Sequence, residues 1–200
     1  QKWFKAAGRK GIPSAFVVGA DNTIMWIGNP LDPEFPNIVE AVTFGRYNPV
    51  LERKAAPKLK AAERAAKLRN FGQAYSHMDE VIELDNKMFL SVALDQYRMK
   101  LDQEKNPEAA DEFVKVMCRM YMKDNASLRE ICLMLAADPT LSANDPKKAR
   151  DIADGLLLVQ GKRSVDALST SACVAYHADD LARAIREQKL AWMYAKPALK

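Results

Sequence analysis

The sequence contains no Cys-x-x-Cys pair, and its three cysteines, Cys118, Cys132 and Cys173, stand far apart. An odd number at such spacings excludes a disulfide framework and a zinc signature. It leaves the thiols to be read as small buried hydrophobes. The two histidines, His77 and His177, have no metal-spaced neighbour, so no metal site is expected. No Ser-His-Asp arrangement and no glycine-rich phosphate loop can be assembled, and no cofactor is expected. Nor is there an apolar run of about 18 residues, the length that crosses a bilayer.

Net charge is small as well: 30 Lys and Arg stand against 26 Asp and Glu, a formal net charge of +4. That small excess is concentrated. Between Pro49 and Asn70 lie Arg53, Lys54, Lys58, Lys60, Arg64, Lys67 and Arg69 against Glu52 and Glu63, a local +5 that leaves −1 for the rest of the chain. Basic residues in a row invite a nucleic-acid reading, carried by Lys58, Lys60 and Arg64. The aromatics that stack on single-stranded bases are missing, and alanines 55, 56, 61, 62, 65 and 66 point instead to a linker helix with a solvated face. An acidic partner, or the acidic helical domain of the chain itself, is the preferred counterpart for this segment, and nucleic acid is disfavoured.

The chain opens on an apolar hairpin. Ser14–Val18 is β-branched and aromatic enough for a strand, Ala20-Asp21-Asn22-Thr23 supplies turn chemistry, and Ile24–Ile27 returns, closed by Gly28-Asn29-Pro30. A helix tail is expected over residues 1–8. Asp32-Pro33-Glu34 predicts a helix start, Ile38, Val39, Val42 and Phe44 its apolar side, and Gly45 its stop. An isolated hairpin is marginal in water, so this one needs a partner surface.

The order of these pieces, GIPSAFVVGADNTIMWIGNP, preceded by Trp3-Phe4 and Ala6-Ala7, resembles the second half of a thioredoxin fold, in the redoxin branch that includes TlpA- and ResA-like proteins. The resemblance covers roughly residues 1–47. It implies that Pro13 is cis and that Ile12 and Pro13 hold the backbone of an extended substrate. A proline there leaves the preceding backbone free to pair with a ligand, while a purely structural turn at the strand start is the competing account. The family's thiol chemistry sits on a Cys-x-x-Cys upstream of this loop. With Gln1 as the first residue and no such pair, the chain is expected to start inside a domain, as a fragment or processed product, and to be redox-inert alone. The edge of Ala15–Val18 would then be covered by the absent N-terminal half, by a second copy of the chain or by a rearranged helix. The resemblance also implies an exported, periplasmic location.

Beyond Tyr47-Asn48-Pro49 no convincing strand occurs, and helical segments follow over 50–70, 71–85, 87–103, 108–123, 127–136, 146–160, 165–177 and 179–195. Ser127-x-x-Glu130 offers a capping box. Asp145-Pro146 and Asp179-Asp180 offer caps. Leu168, Ala172, Tyr176, Leu181, Ala184, Ile185 and Trp192 are expected on the inner sides of the last pair. That pair, through Ala175-Tyr176, Asp180-Leu181-x-x-Ala184-Ile185, Ala191 and Pro197, resembles a tetratricopeptide repeat. The fold class expected is an α+β thioredoxin-like fragment followed by an all-α TPR-like domain. The parts are 1–47, a basic linker helix 48–70, and 71–200. The function expected is part of a thiol–disulfide oxidoreductase with a helical protein-interaction domain. The alternative is a non-catalytic protein-binding scaffold with a degenerate redoxin half.

Overall fold

A two-stranded antiparallel sheet opens the structure, with β1 (Ala15–Val18) facing β2 (Ile24–Gly28). The computed structural model describes Gly8 and residues 12–195, so residues 1–7 of the expected helix tail lie outside it. The chain divides into two compact units, Gln1–Phe89 and Leu90–Lys200. It is mostly helical, with a small sheet near its start.

In the first unit the hairpin register pairs Ala15 with Gly28, Phe16 with Ile27 and Val17 with Trp26, then slips so that Val18 meets Ile24. The slip is a bulge that leaves Met25 as the additional residue on β2. The turn is built as its residues dictate. Asn22 takes φ 63°, and Asp21 Oδ1 accepts from Thr23 N (3.1 Å) and Thr23 Oγ1 (2.7 Å). These bonds hold the Asp21 carboxyl below its ordinary pKa. Among the described residues no third strand joins β1.

Helix α1 (Phe35–Thr43) begins two residues later than the Asp32 cap suggests. Asp32 instead closes an Asx turn on Glu34 N (3.0 Å), and the helix enters through Phe35-Pro36. Phe35 and Ile38 are half-buried, whereas Val39 and Phe44, expected on the apolar side, are exposed. Gly45, at φ 67°, ends the helix as expected.

Helix α2 (Pro49–Lys67) starts at Asn48, whose Oδ1 accepts from Val50 N (3.0 Å) and Leu51 N (3.2 Å), with Pro49 in the first turn. Its buried side is alanine alone: Ala55, Ala62 and Ala65. This face packs against α3 (Phe71–Ile82), which buries Ala74, Met78, Val81 and Ile82. An ion pair, Lys58 to Glu80, ties the two helices. The segment expected to be a linker is therefore half of a helical hairpin, and its cations remain on the solvated side.

The second unit holds six helices among the described residues: α4 (Leu90–Arg98), continued by a π turn over Met99–Gln103, α5 (Pro107–Met120), α6 (Asn125–Ala137), α7 (Pro146–Gln160), α8 (Val165–His177) and α9 (Leu181–Ala195). Each of the last five begins on a side-chain cap: Asn106, Asp124, Asp145, Ser164 and Asp180. Ser127 is not the cap expected of it. It lies in the first turn of α6, and its Oγ donates to Asp124 Oδ2 (2.8 Å). On α5 the buried stripe is Ala110, Val114, Met117 and, just beyond, Tyr121. The core centres on Ile131, Leu135, Leu156, Leu168 and Val174.

Candidate functional site

Three groups of residues bear on function: the loop before β1, the thiols, and the last helix pair. Ile12 and Pro13 stand immediately before β1, joined by a cis peptide bond. Ile12 is 89% exposed and Pro13 is exposed too. An apolar side chain so open, beside a residue without an N–H, offers a contact surface and a free backbone. Behind the loop, the ring of Trp26 on β2 lies 5.3 Å from that of Phe35 on α1, which ties the sheet to its helix.

The cysteines come from α5, α6 and α8, and none is in a disulfide. Burial pushes the Cys132 thiol up to about 12, with Cys173 and Cys118 near enough to add to the rise electrostatically. Its Sγ is placed to donate to Ala149 O at 3.0 Å. Burial raises Cys118, and raises Cys173 against the pull of Arg129. The thiolate is the reactive form, and a thiol with a pKa near 12 supplies only about one part in 10⁵ of it at neutral pH. Sequence reasoning placed these residues as buried hydrophobes but gave no sign that three helices bring them into one neighbourhood. Among the described residues no cluster of His, Cys, Asp and Glu is suited to hold a metal ion. His77 lies on α3 and His177 at the end of α8.

The last helix pair corrects the sequence reading most. Ala184 and Ala191 face inward on α9, while Tyr176 (59%), Leu181, Ile185 and Trp192 (60%) are exposed. They line an open groove of about 750 Å³ between α8 and α9, in which Lys189 is the one charged side chain among the described residues. Cys173 lines it as well. The reason is size: two helices in close contact put alanine at the seam, and the bulky residues at the flanking 3–4 spacing are displaced outward. The signal was present in α9, which carries apolar residues on more than one side.

An ionic clamp ties α7, α8 and α9 together. Arg183 is bound to Asp154 of α7, to Ser171 Oγ of α8 (2.8 Å) and to Glu187 Oε1 one turn on (2.9 Å). The hydrogen bond that Arg183 donates to Asp154 leads the forces that raise the Arg183 pKa. Among the described residues no helix is long and apolar enough to cross a membrane. Family models, curated proteins and solved structures provide no match to this chain.

Proposed function

We propose that this chain is the substrate-holding and protein-binding part of a thioredoxin-like thiol–disulfide oxidoreductase. The observation that carries the reading is the succession of an exposed Ile12–Pro13 loop, β1, a tight turn, β2 and α1, the order of the rear half of a redoxin sheet. Ile12 and Pro13 contact an extended substrate segment through free backbone and an apolar side chain. In a parent that carries a Cys-x-x-Cys, one thiolate attacks a substrate disulfide. A mixed disulfide forms, one substrate sulfur leaves as thiolate, and the second cysteine displaces the other. The chain's own thiols take no part, since burial keeps all three protonated at neutral pH. The helical unit adds a protein-binding surface, supported by the groove between α8 and α9, whose apolar lining suits an apolar helical segment of a partner.

The alternative, a protein-binding scaffold with no thiol chemistry in the parent, is favoured by the same protonated cysteines. Insulin reduction by the full-length parent separates the two. Turnover that Ile12→Asp slows through a raised KM supports the oxidoreductase. Absent turnover with substrate binding retained supports the scaffold, and turnover indifferent to Ile12→Asp removes the loop from the site.

A further inference from the structure

Helix α2 presents two opposite faces. Ala55, Ala62 and Ala65 are buried. On the other side Arg53, Lys60, Arg64 and Lys67 are all exposed and follow one another at steps of seven, four and three residues. At 3.6 residues per turn these positions fall within about 60° of one another, and at 1.5 Å per residue the row is about 21 Å long. It is a row of cations along one side of a capped helix, with Pro57 inside the helix between Arg53 and Lys60.

Little within the unit answers this charge. Lys67 is paired with Glu63 (2.6 Å), and Arg53 Nε donates to the Pro49 carbonyl (3.2 Å). Lys60 and Arg64 make no side-chain hydrogen bond or ion pair among the described residues, and neither does Lys54 at the side of the row. Glu52 and Glu63 lie together on one flank, so the row is bordered by acid on one side and open on the other.

We infer that this face of α2 docks an acidic amphipathic helix of a partner protein. Carboxylates on one side of a helix recur at the same seven-and-four steps as these cations, so two helices lying along each other match charge to charge over the whole row. Ala56, Pro57 and Ala61 beside the row are small, which lets a second helix approach while the Lys and Arg stems reach around it. A nucleic acid fits less well, because α2 contains no aromatic residue to stack on bases. A lipid surface fits less well too. The bulky exposed apolar residues beside the row, Val50 (55%) and Leu68 (81%), stand at its two ends, and Leu59 (36%) between them lies off the row, on the flank of Glu52 and Glu63. This surface is separate from the Ile12–Pro13 loop, so it stands or falls independently of the thiol chemistry proposed above.

The test uses the whole chain and fluorescent helical peptides of about 21 residues, matched to the length of the row. One carries Glu at seven-and-four spacing, a second has Gln in place of Glu, and a third has the same Glu content spread around all faces. The first should bind at least about tenfold tighter than either of the others, and lose at least about tenfold on Arg53→Gln/Lys60→Gln/Arg64→Gln, which alters only exposed side chains. Circular dichroism of that variant should be unchanged. Equal binding of the three peptides, or binding indifferent to the triple variant, overturns the inference. So does tighter binding, through the same residues, of a DNA duplex of about 20 base pairs or of phosphatidylserine vesicles.

Discussion

The ring of Trp26 lies across the backbone of Gly28. A Cβ built on Gly28 would stand 2.0 Å from Trp26 Cζ2. The two residues share a face of β2, and the glycine is the space the indole occupies. Gly28→Ala should therefore displace Trp26 from Phe35 and destabilise the first unit by about 1–3 kcal/mol, the usual cost of overpacking. A red shift in tryptophan emission with loss of near-ultraviolet circular dichroism would report it. An unchanged spectrum would mean that the ring has another resting place.

Arg98 reaches Asp138 through Nη2 (2.6 Å) and Nε (3.1 Å), and the Asp138 side chain is 9% exposed. Burial pushes the Asp138 carboxyl up, but hydrogen bonds from Thr140 and Arg98 outweigh it and the net pKa is lowered. A folded pKa below the unfolded one gives stability that is full above pH ~4 and lost as pH falls through the folded value. Arg98→Ala should cost about 2 kcal/mol at neutral pH, discounted for the one-third exposure of the arginine. The gap between variant and parent in urea melts should narrow as the pH is taken below about 4.

Thiol labelling offers a direct check on the cysteines. In the folded chain Cys132 should resist a disulfide-exchange reagent at pH 7, because it is buried and its pKa is pushed up to about 12. Cys118 and Cys173, only partly buried, should react slowly, and all three rapidly in denaturant. Fast native labelling of Cys132 would contradict the packing of α6.

Arg183→Ala should destabilise the second unit by about 3 kcal/mol, since it leaves the carboxylate of Glu187 (side chain 9% exposed) with only the more distant Arg186 at 3.8 Å. Arg183→Lys should recover only part, because one ammonium cannot serve Asp154, Ser171 and Glu187 with the geometry of a guanidinium. Trp192→Ala, on the open side of the same helix, should leave stability within about 0.5 kcal/mol. Equilibrium urea unfolding measures all three.

The local features were the most legible. The turn at Asp21-Asn22, the stop at Gly45 and the caps at Asp145 and Asp180 follow from side-chain chemistry acting over two or three residues, which a sequence displays directly. Which side of a helix turns inward was less so. Leu181, Ile185 and Trp192 read as core by hydrophobicity, yet the seam of α8 and α9 is close-packed and admits alanine in their stead. Ser127 read as a cap because the serine matches the motif, whereas Asp124, three residues earlier, does the work. The Arg183 clamp and the meeting of three cysteines depend on which helices lie side by side, and neither spacing nor composition encodes that.

Helix α8 buries Ala167, Leu168, Thr170, Ser171, Ala172, Val174 and Ala175, and it packs on α6, α7 and α9 alike. A rod enclosed on so many sides cannot loosen by itself. Its amide protons should exchange with solvent only when the surrounding three helices part together, so the slowest exchange rates along this stretch would measure the opening of the four-helix block as one event.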